Sequence, residues 1–197
     1  MPNEGAMQRS TTETVRNGVV NAIRGSGEVM TAVSDTVTDT LANLIKGGGR
    51  VGTALTGSVS DVLRGAIQGT AEIGEDVGKA TKAAVVGTLR GTKDVGAEAM
   101  SVISTGASTA VKSASDVGAD VATVARQAVE GAIEGAREVG LDLEEAAAAA
   151  ATGAIRGAGQ VSKAAVGQAR QVATGVIAGV KVVVKEPFRA EPGTSDR

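Results

Sequence analysis

The sequence predicts an all-α protein of long amphipathic helical segments. Eight 22-residue repeats, each of two 11-residue units, would form an elongated bundle or a straight to slightly right-handed coiled coil; an α-solenoid of short helices is the alternative. Three observations predict this. An aliphatic residue recurs every 22 positions at Ile23, Ile45, Ile67, Leu89, Val111, Ile133, Ile155 and Ile177. Within each repeat the apolar residues step by four, as on a helix face. Proline occurs only at Pro2, Pro187 and Pro192, so residues 3–186 carry no strong helix breaker.

The opening residues, MPNEGAMQRSTTETVRNG, are polar and lack the apolar core of a secretory signal. Residues 1–14 read as a flexible tail and 15–185 as the repeat region. Each repeat places Gly (Ser113 in one copy) two residues after the aliphatic and Val or Ile six after it. Echoes such as GAIQG at 65–69, GAIEG at 131–135 and GAIRG at 153–157 mark the phase. A step of four advances the face by about 40°, and a gap of six, as from Ile45 to Val51, resets it. Twenty-two residues make six turns at 3.67 per turn, so the face keeps one direction.

The expected packing seam starts with Val29, Val33, Val37, Leu41 and Ile45, then Val51, Leu55, Val59, Leu63 and Ile67. It continues through Ile73, Val77, Val85, Leu89, Val95 and Ile103, then Val117, Val121, Val129 and Ile133. Val139, Leu143, Ile155, Val161 and Ile177 complete it. Charged residues such as Asp35, Asp39, Asp61, Arg64, Arg90, Glu134 and Glu138 fall on the opposite face.

The junctions read IRGSGEV, IKGGGRV, IQGTAEI, LRGTKDV, VKSASDV, IEGAREV and IRGAGQV. A base, a glycine, Ser or Thr and then an acid suit a helix end followed by a new start. The same residues suit a continuous helix in which Arg24–Glu28 and Lys112–Asp116 are i,i+4 ion pairs. The constant junction length favours continuity, because one added residue rotates all later residues by about 100°. Gly47-Gly48-Gly49 is the expected break; a helix over 51–182 would be about 200 Å long.

Glycine sets the energetics. More than twenty of the 28 glycines lie in the body, and at about 0.8–1.0 kcal/mol each they handicap a helix by about 20 kcal/mol. Such a helix must bury its face against another copy, another segment of itself or a lipid surface. The pairs Gly65/Gly69, Gly87/Gly91, Gly131/Gly135, Gly153/Gly157 and Gly175/Gly179 resemble the close-contact motif of membrane helix dimers. They reflect either a packing role or the abundance of glycine.

The segment Val172–Val184 is the most apolar run but is too short to span a membrane and contains Lys181. Val172, Val176, Ile177, Val180, Val182, Val183 and Val184 are the candidate membrane-facing residues. Residues 101–150 hold 3 basic and 8 acidic residues, and 151–197 hold 7 and 3, so only the C-terminal part suits an anionic lipid surface. It suits an acidic helical partner equally. Residues 186–197 read as a disordered tail.

Repeats of 11 or 22 residues rich in Ala, Gly, Thr and Val resemble those of synucleins, apolipoproteins, perilipin-like coat proteins, late-embryogenesis-abundant proteins and hendecad coiled coils. Thr92-Lys93-Asp94-Val95-Gly96 is loosely similar to the synuclein repeat, without its lysine pairs. Late-embryogenesis proteins are more hydrophilic than this chain, whose mean hydropathy is +0.09. The resemblance implies helix formation on a surface, in a bundle or on drying, and no catalytic residues.

Cys, His, Trp and Tyr are absent. That excludes disulfides, Cys/His metal sites and Ser-His or Cys-His nucleophiles. The letters of Gly47–Gly52 match a dinucleotide fingerprint, but a helical pattern precedes them, not a strand. Gly78-Lys79 lacks the other residues of a phosphate loop. Glu144-Glu145 and Asp116/Asp120 fall on a solvated helix surface. The expectation is a non-enzymatic, cytoplasmic structural protein with no cofactor and no nucleic-acid partner. It pairs with itself, between copies or within the chain. The alternatives are a lipid-surface coat acting through 151–189 and a disordered stress protectant.

Overall fold

The computed structural model describes residues 4–48, 53–93 and 99–184; the seam positions Val51 and Val95 and the tail at 186–197 lie outside them. Among the described residues the chain forms eight helices and one hairpin. The helices are α1 (Glu4–Ser26), α2 (Val29–Gly48), α3 (Thr53–Glu72), α4 (Val77–Thr92), α5 (Ala99–Asp116), α6 (Val121–Val139), α7 (Leu143–Gly159) and α8 (Lys163–Ala173). The strands β1 (Gly175–Ile177) and β2 (Val180–Val182) follow. The repeat is thus one short helix and its turn, and the solenoid replaces the long rod. The longest helix has 23 residues. It begins at Glu4, inside the segment expected to be a tail.

Left-handed glycines and side-chain caps end the helices. Gly27, Gly74, Gly118 and Gly140 adopt φ of 72°, 74°, 79° and 78°, which L side chains rarely reach. Two residues after the last three stand Asp76, Asp120 and Asp142, each accepting a backbone N–H from three residues on. Ser162 does the same for Ala165 at the start of α8. The break expected at 47–49 falls where α2 ends, with Gly49 outside the described residues.

The constant junction length has a different cause from the one expected. In a stack of like units, each helix must present its small residues at the same height to its neighbour. Unit length is then fixed by packing between helices, not by continuity within one.

From α1 to α7 alternate helices pack more extensively than neighbours in sequence, except that α6 packs on α7 more extensively than α3 on α5. One row is therefore α1, α3, α5 and α7; the other is α2, α4, α6 and α8. Two merging clusters form the core between them: one runs from α1 to α5, the other from α4 to the hairpin. Alanine carries much of it, with Ala83, Ala84, Ala107, Ala110, Ala125, Ala128, Ala132, Ala150, Ala151 and Ala154 buried. Side chains this small let helices approach closely and offset the scarcity of aromatics.

The expected seam positions divide by burial. Val33, Val37, Leu41, Leu55, Val59, Leu63, Ile67, Val85, Leu89, Ile103, Val129 and Ile133 are buried. Val29, Ile45, Ile73, Val77, Val121, Val139, Leu143 and Ile155 are half-buried. Val117 and Val161 are exposed, because both stand in turns rather than on a continuing helix.

The last repeat departs from helix. Ile177 pairs with Val180 across a two-residue turn in which Ala178 and Gly179 take φ of 48° and 82°. Positive φ at both central positions matches the right-handed strand twist. The β-branched run after Thr174 suits strands, and Gly175, at φ 97°, starts the departure from α8. Val172 lies half-buried on α8, Ile177, Val180 and Val182 point inward, and Val184 is half-buried. Only Val176 and Val183 of the candidate membrane-facing set are exposed, at 74% and 57%.

Candidate interaction surfaces

The glycine pairs are packing seats. A Cβ on Gly87 would stand 2.5 Å from the Ser34 carbonyl oxygen and 3.1 Å from the Val37 Cβ. On Gly91 it would stand 2.9 Å from the Leu41 Cβ and from the Thr38 oxygen. Gly131 meets the Lys82 oxygen at 2.6 Å and Gly135 the Leu89 Cδ1 at 2.6 Å. Gly65 and Gly69 meet Thr12 and Arg16, and Gly153 and Gly157 meet Ser104 and Ser108. Residue numbers rise together across each pair, so helices within a row are parallel. Gly175 and Gly179 serve the hairpin instead.

At the equivalent positions α5 carries Thr109 and Ser113. Thr109 donates from Oγ1 to the Ser60 Oγ at 3.0 Å, and α3 and α5 pack less extensively than the glycine-seated pairs. At the N-terminal end, Gly25 and Gly47 have open space around them, and their partners in the pair are the polar Asn21 and Asn43. Terminal repeats that face solvent carry such polar positions.

The row of even-numbered helices is laced by charge. The Arg90 guanidinium donates to both oxygens of Glu138, at 2.6 and 2.9 Å, and to the Ser34 Oγ at 3.0 Å. One side chain on α4 thereby spans α2 and α6. Lys82 reaches Glu134 at 2.7 Å. The Arg90 hydrogen bonds hold the Glu138 carboxyl below its ordinary range and raise the Arg90 pKa. The capping N–H of Thr123 likewise lowers Asp120. Asp61, expected on the solvated face, is buried on α3; desolvation pushes its pKa up against the pull of Arg64 at 4.0 Å.

Among the grooves on the described surface are two of several hundred Å³. One, of about 660 Å³, lies between α5, α7 and β2. Met100, Ala148, Ala149 and Val183 give it an apolar lining, and Asp142, Glu144, Glu145 and Lys181 border it. The other, of about 590 Å³, lies at the C-terminal ends of α2, α4 and α6, beside Ile45, Lys46, Arg90 and Lys93. Among the described residues there is no group of three or more acidic side chains placed to hold a metal ion. No described helix is long and apolar enough to cross a membrane. Sequence reasoning missed the Arg90 bridge and the first groove. Both need side chains 44 or more residues apart to meet, and the only trace of them is the repeat itself.

No protein-family profile matches the chain, and no curated protein matches it. Among solved structures it is similar to a de novo designed helical repeat protein, DHR7. The likeness has a TM-score of 0.50 at 20% identity and covers 86% of this chain and 91% of that one. At that identity the likeness concerns the fold alone: the chain is an all-α protein of helical-repeat, solenoid-like architecture.

Proposed function

We propose that the chain is a non-enzymatic helical-repeat scaffold. It satisfies its small-residue helix faces within one molecule and holds its outer faces in a fixed array for a macromolecular partner. The observation that carries this reading is the set of glycine seats, from Gly65 on Thr12 to Gly157 on Ser108. They spend the packing seam inside the chain, so the self-association expected from the sequence takes its intramolecular form. Extended solenoid surfaces are suited to binding because every unit positions the next.

A lipid-coat reading has one observation in its favour: Val176 and Val183 project from the hairpin near the exposed Lys181. Circular dichroism over a concentration series, with and without anionic vesicles, separates the readings. The scaffold gives strong helix at every concentration and no gain with vesicles. Helix that appears only with vesicles supports the coat, and helix that grows with concentration supports assembly between copies. Coil throughout supports the resemblance to late-embryogenesis proteins and ends the scaffold reading.

A further inference from the structure

We propose that the groove between α5, α7 and β2 is the docking site for a peptide segment in which an apolar side chain is flanked by Lys or Arg. The proposal rests on the scaffold reading and names the partner class for one of its faces.

Three observations point to this occupant. First, the groove is continuous with an established interface. Ser104 and Ser108 of α5 are the backbone seats of Gly153 and Gly157. Their counterparts 44 residues on are Ala148 and Thr152, which line the groove on α7. The surface that receives a chain segment within the row is therefore presented again at its end, with β2 as one wall. Second, the floor of Met100, Ala148, Ala149 and Val183 is small and apolar. The volume of about 660 Å³ has room for a few side chains rather than a whole helix. Methionine adapts its shape to varied apolar partners.

Third, the border is acidic. Asp142 is engaged as the cap of α7, accepting from the Glu145 N–H at 2.7 Å. Among the described residues the Glu144 and Glu145 carboxylates accept no hydrogen bond and form no ion pair; Lys181 is the only cation lining the groove. Two uncommitted carboxylates beside an apolar floor complement a side chain next to a cation, and repel an acidic peptide.

The chain with ¹³C-labelled methionine methyls tests this, because Met100 lines the groove and Met30 lies on α2, away from it. The probe is an acetylated, amidated peptide Lys-Leu-Phe-Lys-Lys, compared with Glu-Leu-Phe-Glu-Glu. The expected result is a saturable shift of the Met100 methyl with the basic peptide, none with the acidic one, and an unmoved Met30. Glu144→Lys with Glu145→Lys should weaken the binding at least tenfold, as should 0.5 M salt. If that variant loses its helical signal, Glu144→Gln with Glu145→Gln replaces it and should weaken binding at least threefold. An unmoved Met100, an equal response to both peptides, or affinity indifferent to the glutamates overturns the proposal. So does a Met100 shift with vesicles of 30% anionic lipid but not with peptide. Each of these leaves the scaffold reading standing wherever the chain is strongly helical in dilute buffer; a coil there ends the scaffold reading itself.

Discussion

Replacing Gly87 by alanine should destabilise the protein, although the same change in an open helix position stabilises it. Alanine in a helix interior is favoured over glycine by about 0.8–1.0 kcal/mol. At Gly87 the new Cβ would meet the Ser34 carbonyl oxygen at 2.5 Å, the Val37 Cβ at 3.1 Å and the Ser34 carbonyl carbon at 3.2 Å. These neighbours are mostly backbone, so α2 and α4 must move apart, and overpacking of that kind costs about 1–3 kcal/mol. The net is a loss of up to about 2 kcal/mol. Gly57 of α3 has nothing within 4 Å of its would-be Cβ, so Gly57→Ala should gain about 1 kcal/mol. Urea unfolding followed at 222 nm measures both. The two variants should move the urea midpoint in opposite directions, and thermal melts should separate them by about 2–12 °C for a chain of this size. Equal stabilisation by both would refute the close approach of alternate helices, since a glycine with open space at position 87 has no reason to prefer hydrogen.

Four further outcomes follow from other contacts. Arg90→Met should cost about 0.5–1 kcal/mol, because both partners are part-exposed; the loss should shrink in high salt. Glu138 has a lowered pKa in the fold, so its contribution is whole above the ordinary glutamate value and is lost as pH falls through the lowered one. Arg90→Met should therefore flatten that acid limb in a pH-stability titration. Asp61 runs the other way: its raised pKa favours the fold below the ordinary aspartate value, and this gain is lost as pH rises through the raised one, so Asp61→Asn should be the more stable at pH 7. Asp120→Ala removes the cap of α6 and should lower stability by about 1 kcal/mol in urea unfolding, a loss that disappears as pH falls through the lowered pKa of Asp120. Ala178→Gly relieves a positive φ in the hairpin turn and should stabilise by up to about 1 kcal/mol, read as a higher melting temperature.

The repeat made the helical class and most of the buried face readable, because burial of Val37, Leu63 or Ile133 depends on the four-residue step within one helix. Where the helices end was harder to read. The junction motifs drew attention to Gly69 and Gly135, yet both are helix-interior seats for a neighbour. The turns lie five residues later, at Gly74-Glu75-Asp76 and Gly140-Leu141-Asp142. Glycine followed two positions on by a capping aspartate was the stronger local signal, and it was present in the sequence. The hairpin was missed for the opposite reason. Residues 172–184 keep the repeat phase at Ile177 and Val183, and the phase hides a β-branched run that suits strands. The groove was beyond reach, because Met100 and Val183, 83 residues apart in the chain, line one groove only once α5, α7 and the hairpin have packed together.

Small-angle scattering of the dilute chain tests most directly whether it folds back on itself through its own glycine seats. A stacked solenoid of 197 residues should give a concentration-independent radius of gyration near that of a compact domain, about 16–20 Å. A continuous helix about 200 Å long would give about 60 Å, an unfolded chain of this length about 48 Å, and either value would contradict the fold described above.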